Sequence, residues 1–65
     1  MKITLNGEPR EIPVTTLNQV ISSYQLNPEA IVIELNGVIA PKQDWATTAL
    51  NDGDQVEIVS FVGGG

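Results

Sequence analysis

The sequence predicts an α+β fold, with one main helix packed across one face of a mixed sheet of four to five strands. Three observations predict it. Two Asn-Gly dipeptides, Asn6-Gly7 and Asn36-Gly37, each stand at a break in strand-like alternation, where a tight hairpin turn needs two residues with positive φ. Only the stretch from Thr16 to Tyr24 carries helical rather than strand periodicity. The segment from Gln55 to Val62 is apolar on both faces, which suits a central strand rather than an edge.

Each element follows in order. Ile3 and Leu5 alternate with Lys2, Thr4 and Asn6, the period of a half-buried strand. Beyond the first hairpin turn, Pro9 fits a turn or an edge and delays pairing. Ile12 and Val14 then alternate with Glu11 and Thr15 as a second, antiparallel strand, and Pro13 marks it as an edge. Thr16 and Gln19 form a capping-box pair that opens the helix. Leu17, Val20, Ile21 and Tyr24 share its buried face, and Asn27-Pro28 ends it. Ala30 to Leu35 is a strand with Ile31, Ile33 and Leu35 on one face and Val32 and Glu34 on the other. Val38 to Ala40 is a short strand stopped by Pro41, and residues 42–50 connect it onward with room for one helical turn. Trp45 is the expected anchor of that connection, a lid over one end of the core with its indole N–H satisfied. Asp52-Gly53-Asp54 is a turn. The last strand places Val56, Ile58, Ser60 and Val62 on one face and Glu57, Val59 and Phe61 on the other. Pairing this strand in parallel with the first, at the centre of the sheet, gives a β-grasp arrangement.

Composition narrows the function. Sixty-five residues make one domain with a small core, since a chain of this size buries about 60% of its unfolded surface. The expected division is a β-grasp domain over residues 1–62 and a flexible glycine tail over 63–65. The chain has neither cysteine nor histidine, so His/Cys metal sites, a thiol nucleophile and a His-based triad are all excluded. Asp52 and Asp54 flank a glycine as turn formers rather than as a metal or acid–base pair. No base, nucleophile and orienting group are available together, so the chain is not expected to be an enzyme. The formal net charge of −5 argues against nucleic acid and suits a basic protein surface. No apolar run approaches the roughly 20 residues of a membrane span, and Met1-Lys2-Ile3-Thr4-Leu5 is too short an apolar run to read as a signal peptide, so a cytoplasmic protein without membrane contact is expected.

The tail is the most informative feature. Phe61-Val62-Gly63-Gly64-Gly65 takes an apolar strand directly into three glycines and a carboxylate. Without Cβ atoms such a tail enters a slot too narrow for other residues, and its carboxylate can be activated in a partner's active site. The plain alternative is a frayed end or a linker. If the helix covers Val56 and Ile58, then Val59 and Phe61 lie on the open sheet face, where an apolar pair beside the tail marks a partner site. The reverse assignment puts Phe61 in the core. Lys42 reads as a solvated loop lysine or a contact to an acidic partner.

Asn6-Gly7, Asn36-Gly37, Pro41-Lys42-Gln43-Asp44-Trp45, Asp52-Gly53-Asp54-Gln55-Val56-Glu57-Ile58-Val59 and the final glycines, in this order, cover essentially the whole chain. Together they resemble the ThiS family of ubiquitin-like sulfur carriers in thiamin biosynthesis. The sister carriers of molybdopterin synthesis are usually longer and lack the Pro-x-x-x-Trp piece. The resemblance implies that an E1-like adenylyltransferase activates the Gly65 carboxylate with ATP. A sulfur donor protein then converts it to a thiocarboxylate, and thiazole synthase takes the sulfur. Gly64 is the second family glycine and Gly63 an added hinge; independently of the resemblance, Val59, Phe61 and Val62 are the expected partner-binding residues. No cofactor or metal is implied on the chain itself, since the ATP belongs to the partner. Three alternatives stand beside this: a carrier for molybdopterin or another pathway, a non-covalent β-grasp adaptor, and a modifier forming isopeptide bonds through Gly65.

Overall fold

The computed structural model describes residues 1–13 and 15–61. Val14, assigned above to the second strand, and Val62 and residues 63–65 of the tail lie outside the described residues. The strands are β1 (Lys2–Leu5), β2 (Glu8–Glu11), β3 (Ile31–Leu35), β4 (Val38–Ile39) and β5 (Gln55–Ser60), and the helix α1 (Leu17–Ser23) lies between β2 and β3. Single 3₁₀ turns cover Pro28–Ala30 and Lys42–Asp44. The sheet order is β2-β1-β5-β3-β4, with β5 at the centre, parallel to β1 and antiparallel to β3. This is the mixed sheet and single helix of a β-grasp fold.

Both Asn-Gly turns close two-residue loops. Asn6 and Gly7 have φ of 50° and 81°, and Asn36 and Gly37 have 52° and 84°. Left-handed conformations at both central positions match the twist of the flanking strands. The first turn corrects the expected second strand, which occupies Glu8–Glu11 rather than the segment around Ile12 and Val14. A two-residue loop pairs Leu5 with Glu8 at once, so Pro9 falls opposite Thr4 and delays nothing. Thr4 donates its N–H away from β2, to Asp54 O at 2.9 Å on the β5 side. Its partner Pro9 correspondingly points the ring nitrogen outward, where an edge strand has no bond to make. Ile12 extends the pairing by one residue, its N–H on Met1 O at 2.8 Å, and its side chain enters the core.

The capping box opens α1 as expected. Gln19 N–H donates to Thr16 Oγ1 at 3.3 Å, and Thr16 N–H donates to Gln19 Oε1 at 3.2 Å. The connection after β4 supplies the rest of the cap: Leu17 N–H donates to Thr48 O and Asn18 N–H to Trp45 O. The otherwise orphaned first-turn donors are thereby satisfied. The helix stops four residues earlier than Asn27-Pro28. Gln25 adopts φ of 56°, Leu26 N–H bonds Ile21 O at 3.0 Å, and Gln25 N–H bonds Ser22 O at 3.1 Å. This is a Schellman end with glutamine in the position usually held by glycine. It also corrects the expected place of Tyr24. At the helix cap Tyr24 is 39% exposed, and Leu26, two residues on, packs on the core instead.

The core gathers Ile3, Ile12, Leu17, Val20, Ile21, Ile31, Ile33, Trp45, Leu50 and Val56 between α1 and one sheet face. Trp45 is buried and donates Nε1–H to Ala40 O at 2.8 Å, the lid its isolation in the sequence implied. Asp52 and Asp54 act as turn residues: Asp52 Oδ1 accepts from Lys2 N–H, and the two Asp54 oxygens accept from Asn36 Nδ2 and Asn51 N–H. Lys42 pairs with Glu29 on the adjoining 3₁₀ turn.

Candidate functional site

The strand that leads to the glycine tail is the best-held element of the sheet. Thr4 and Leu5 at the end of β1 pair with Gln55 and Val56 at the start of β5, so β5 continues for four residues beyond β1. There the Asn6 side chain takes over from β1: its Oδ1 accepts the Ile58 N–H at 2.7 Å. Asn36 does the same at the other edge of β5, accepting Gln55 N–H at 2.9 Å and donating its own N–H to Gln55 O at 2.8 Å. Both hairpin asparagines thus fasten the strand that precedes the tail in sequence, a role that local turn chemistry does not reveal.

Period-two alternation then decides which side chains surround the tail's root. The β3–β5 register sets Ile33 against Ile58 and Leu35 against Val56 beneath α1. It sets Val32 against Val59 and Glu34 against Glu57 on the opposite face, which the helix leaves uncovered. Val59 is 57% exposed and Phe61 44% exposed, so the assignment of Phe61 to the core fails and the open-face assignment holds. Val32 and Ile39, on the same face, are exposed too, and neither was singled out from sequence. Reading back from the tail, the face presents Phe61, then Val59 beside Val32, then Glu57 beside Glu34 with Ile39 next in the row. On the helix side of the same strand end, a groove of about 370 Å³ runs between Leu5, Tyr24, Leu26, Ile58 and Ser60. A cavity of about 530 Å³ at the opposite end of β5, bounded by Lys2, Pro9, Glu11 and Asp52, lies away from the tail. Of the sequence-assigned site residues, Val59 and Phe61 are thereby placed together, whereas Val62, Gly63, Gly64 and Gly65 fall outside the described residues.

Among the described residues no group of three His, Cys, Asp or Glu side chains is arranged to hold a metal, and no helix is long and apolar enough to cross a membrane. What the arrangement offers is an anchored strand, an uncovered apolar face and a glycine segment beyond it.

A family model described as the ThiS family matches residues 3–65. The chain belongs to the ThiS family. A sulfur carrier protein ThiS from Bacillus subtilis is 40% identical over 50 residues, covering 77% of this chain and 76% of that protein. A thiazole synthase from Paramagnetospirillum magneticum is 38% identical over 66 residues, covering all of this chain but only 20% of that protein. The chain therefore spans about a fifth of the length of the thiazole synthases it matches. The crystal structure of the thiamine biosynthesis protein ThiS from Geobacter metallireducens superposes with a TM-score of 0.85 at 30% identity, with both chains fully covered. This ThiS-family member therefore shares the β-grasp fold over its described residues.

Proposed function

We propose that this chain is a protein-borne sulfur carrier for thiamin biosynthesis, with Gly65 as the carrying residue. An E1-like adenylyltransferase joins the Gly65 carboxylate to the α-phosphorus of ATP, and pyrophosphate leaves. A carboxylate oxygen is a poor leaving group, so this step converts it into one that departs as AMP. A sulfur donor protein then supplies the sulfur that replaces AMP at the acyl carbon, leaving a thiocarboxylate. Thiazole synthase consumes that sulfur. The chain contributes the carboxylate, the tether and the docking surface, and the partners perform the chemistry.

Membership of the ThiS family carries this reading, together with an anchored β5 that leads into Gly63, Gly64 and Gly65. The thiazole synthases with a matching segment support that enzyme as the consumer, because a carrier joined to its acceptor delivers sulfur without a search through solution. Ordering the tail in a partner's site opposes binding by about 1–2 kcal/mol per residue. Docking through Val59, Phe61 and Val62 offsets that cost. Tethered delivery then makes the transfer effectively intramolecular.

The test is intact-mass measurement after incubation with the host's E1-like adenylyltransferase, ATP and a sulfur source. The carrier gains the mass difference between sulfur and oxygen at its C-terminal residue. Conjugates to lysine would identify a modifier instead, and full function after removal of Gly64 and Gly65 would identify a non-covalent adaptor.

A further inference from the structure

Glu34 and Glu57 stand directly opposite each other on neighbouring strands, on the uncovered sheet face. Like charges in this position destabilise a sheet. Nothing among the described residues relieves the pair. Arg10 is engaged by Glu8, Lys42 by Glu29, and Lys2 sits at the far end of β1, beside Gly53 and ahead of β5. The two carboxylates are also well placed. They form the row next to Val32 and Val59, about 7 Å along the strand from Val59 and about 13 Å from Phe61, with exposed Ile39 beside them. An apolar patch with a charged row at its margin is the layout of a protein interface.

Resting on the docking role proposed for Val59 and Phe61, we infer that Glu34 and Glu57 are a recognition pair for lysine or arginine side chains on the E1-like adenylyltransferase. Charge complementarity selects this occupant. An enzyme that brings a polyphosphate and a carboxylate together must hold two anions, so the mouth of its site is basic. A carrier with a formal net charge of −5 is drawn to such a mouth, and two carboxylates fixed on rigid strands set its orientation on arrival. Pairing with cations also removes the repulsion that the free carrier tolerates.

The inference separates stability from binding. Glu34→Gln/Glu57→Gln keeps the shape and removes the repulsion, so the midpoint of the free chain should rise by about 1–5 °C. The same variant should bind the adenylyltransferase about tenfold more weakly in calorimetric titration at low salt. Its affinity should also fall less steeply between about 0.05 M and about 0.5 M salt than that of the parent. Glu8→Gln/Glu11→Gln, which removes the same net charge on the edge strand β2, two strands away from β5, should bind as the parent does. An equal loss in that control would reduce the effect to net charge and overturn the inference. Parental affinity and salt dependence in Glu34→Gln/Glu57→Gln would overturn it as well. If Val59→Ala and Phe61→Ala still weaken binding in that case, apolar docking stands and only the charge recognition is lost. If they too bind normally, the docking role of this face falls with it.

Discussion

Asn6 combines a left-handed backbone, closure of the first hairpin and a side-chain bond to the Ile58 amide at 2.7 Å. The three can be separated. Asn6→Gly retains the positive φ and loses the bond, so the chain should lose about 1 kcal/mol in denaturant unfolding, and hydrogen exchange at the Ile58 amide should quicken. Unchanged exchange there would mean that β5 needs no help beyond the end of β1. Val59 and Phe61 call for the opposite expectation. Both are exposed, so replacing either by alanine should shift stability by no more than about 0.5 kcal/mol. Docking to the adenylyltransferase should weaken by at least about 1 kcal/mol, the cost of truncating an interface anchor. A stability loss larger than the binding loss would place these side chains in the fold rather than in the interface. The sequence allowed Val59 and Phe61 to be chosen because alternation from the buried Val56 leaves them on the other face. It did not single out Val32 or Ile39, because only the pairing of β3 with β5 and β4 brings them to the same patch.

At the level of elements, local chemistry was legible wherever one short signal faced no competitor. Both Asn-Gly turns and the Thr16–Gln19 capping box formed as their residue types require. Two boundaries were misjudged for want of a nonlocal or unusual signal. Apolar alternation at Ile12 and Val14 suggested a strand there, yet the two-residue turn had already committed Glu8–Glu11, whose side chains are all exposed and show no buried face to read. Gln25 ended α1 in a left-handed conformation that sequence reasoning reserves for glycine or asparagine. That gives the helix two testable ends. Gln25→Gly relieves a strained backbone and should raise stability by about 0.5–1 kcal/mol, where a fall would show that the glutamine side chain outweighs its φ. Thr16→Ala removes the side-chain acceptor for Gln19 N–H and should lower stability by about 1 kcal/mol in the same unfolding assay. Thr48 O and Trp45 O still cap Leu17 and Asn18 in that variant, so the helix should persist by circular dichroism.

At the scale of the molecule, fold and chemistry draw on different parts of one chain. The topology was legible because a strand apolar on both faces demands the centre of the sheet, and β5 occupies it. The opposition of Glu34 and Glu57 was not, since it depends on a register set across more than twenty residues of chain. The buried cluster among the described residues runs from Ile3 to Val56, with Ile58 packed at its margin. All of that cluster precedes the tail, whereas the proposed sulfur loading falls on Gly65. One residue appended after Gly65 tests this division. Its added peptide bond consumes the Gly65 carboxylate that the proposed activation requires, so thiocarboxylate formation should stop in the mass assay. The core is unaltered, so the thermal midpoint should stay within about 1–2 °C, the response to a change of a few tenths of a kcal/mol in a domain of this size. Docking through the open face should persist, and the extended chain should therefore compete with the parent for the adenylyltransferase. A midpoint lower by many degrees would assign the tail to the fold, and loading that survived the extension would move the chemistry away from Gly65.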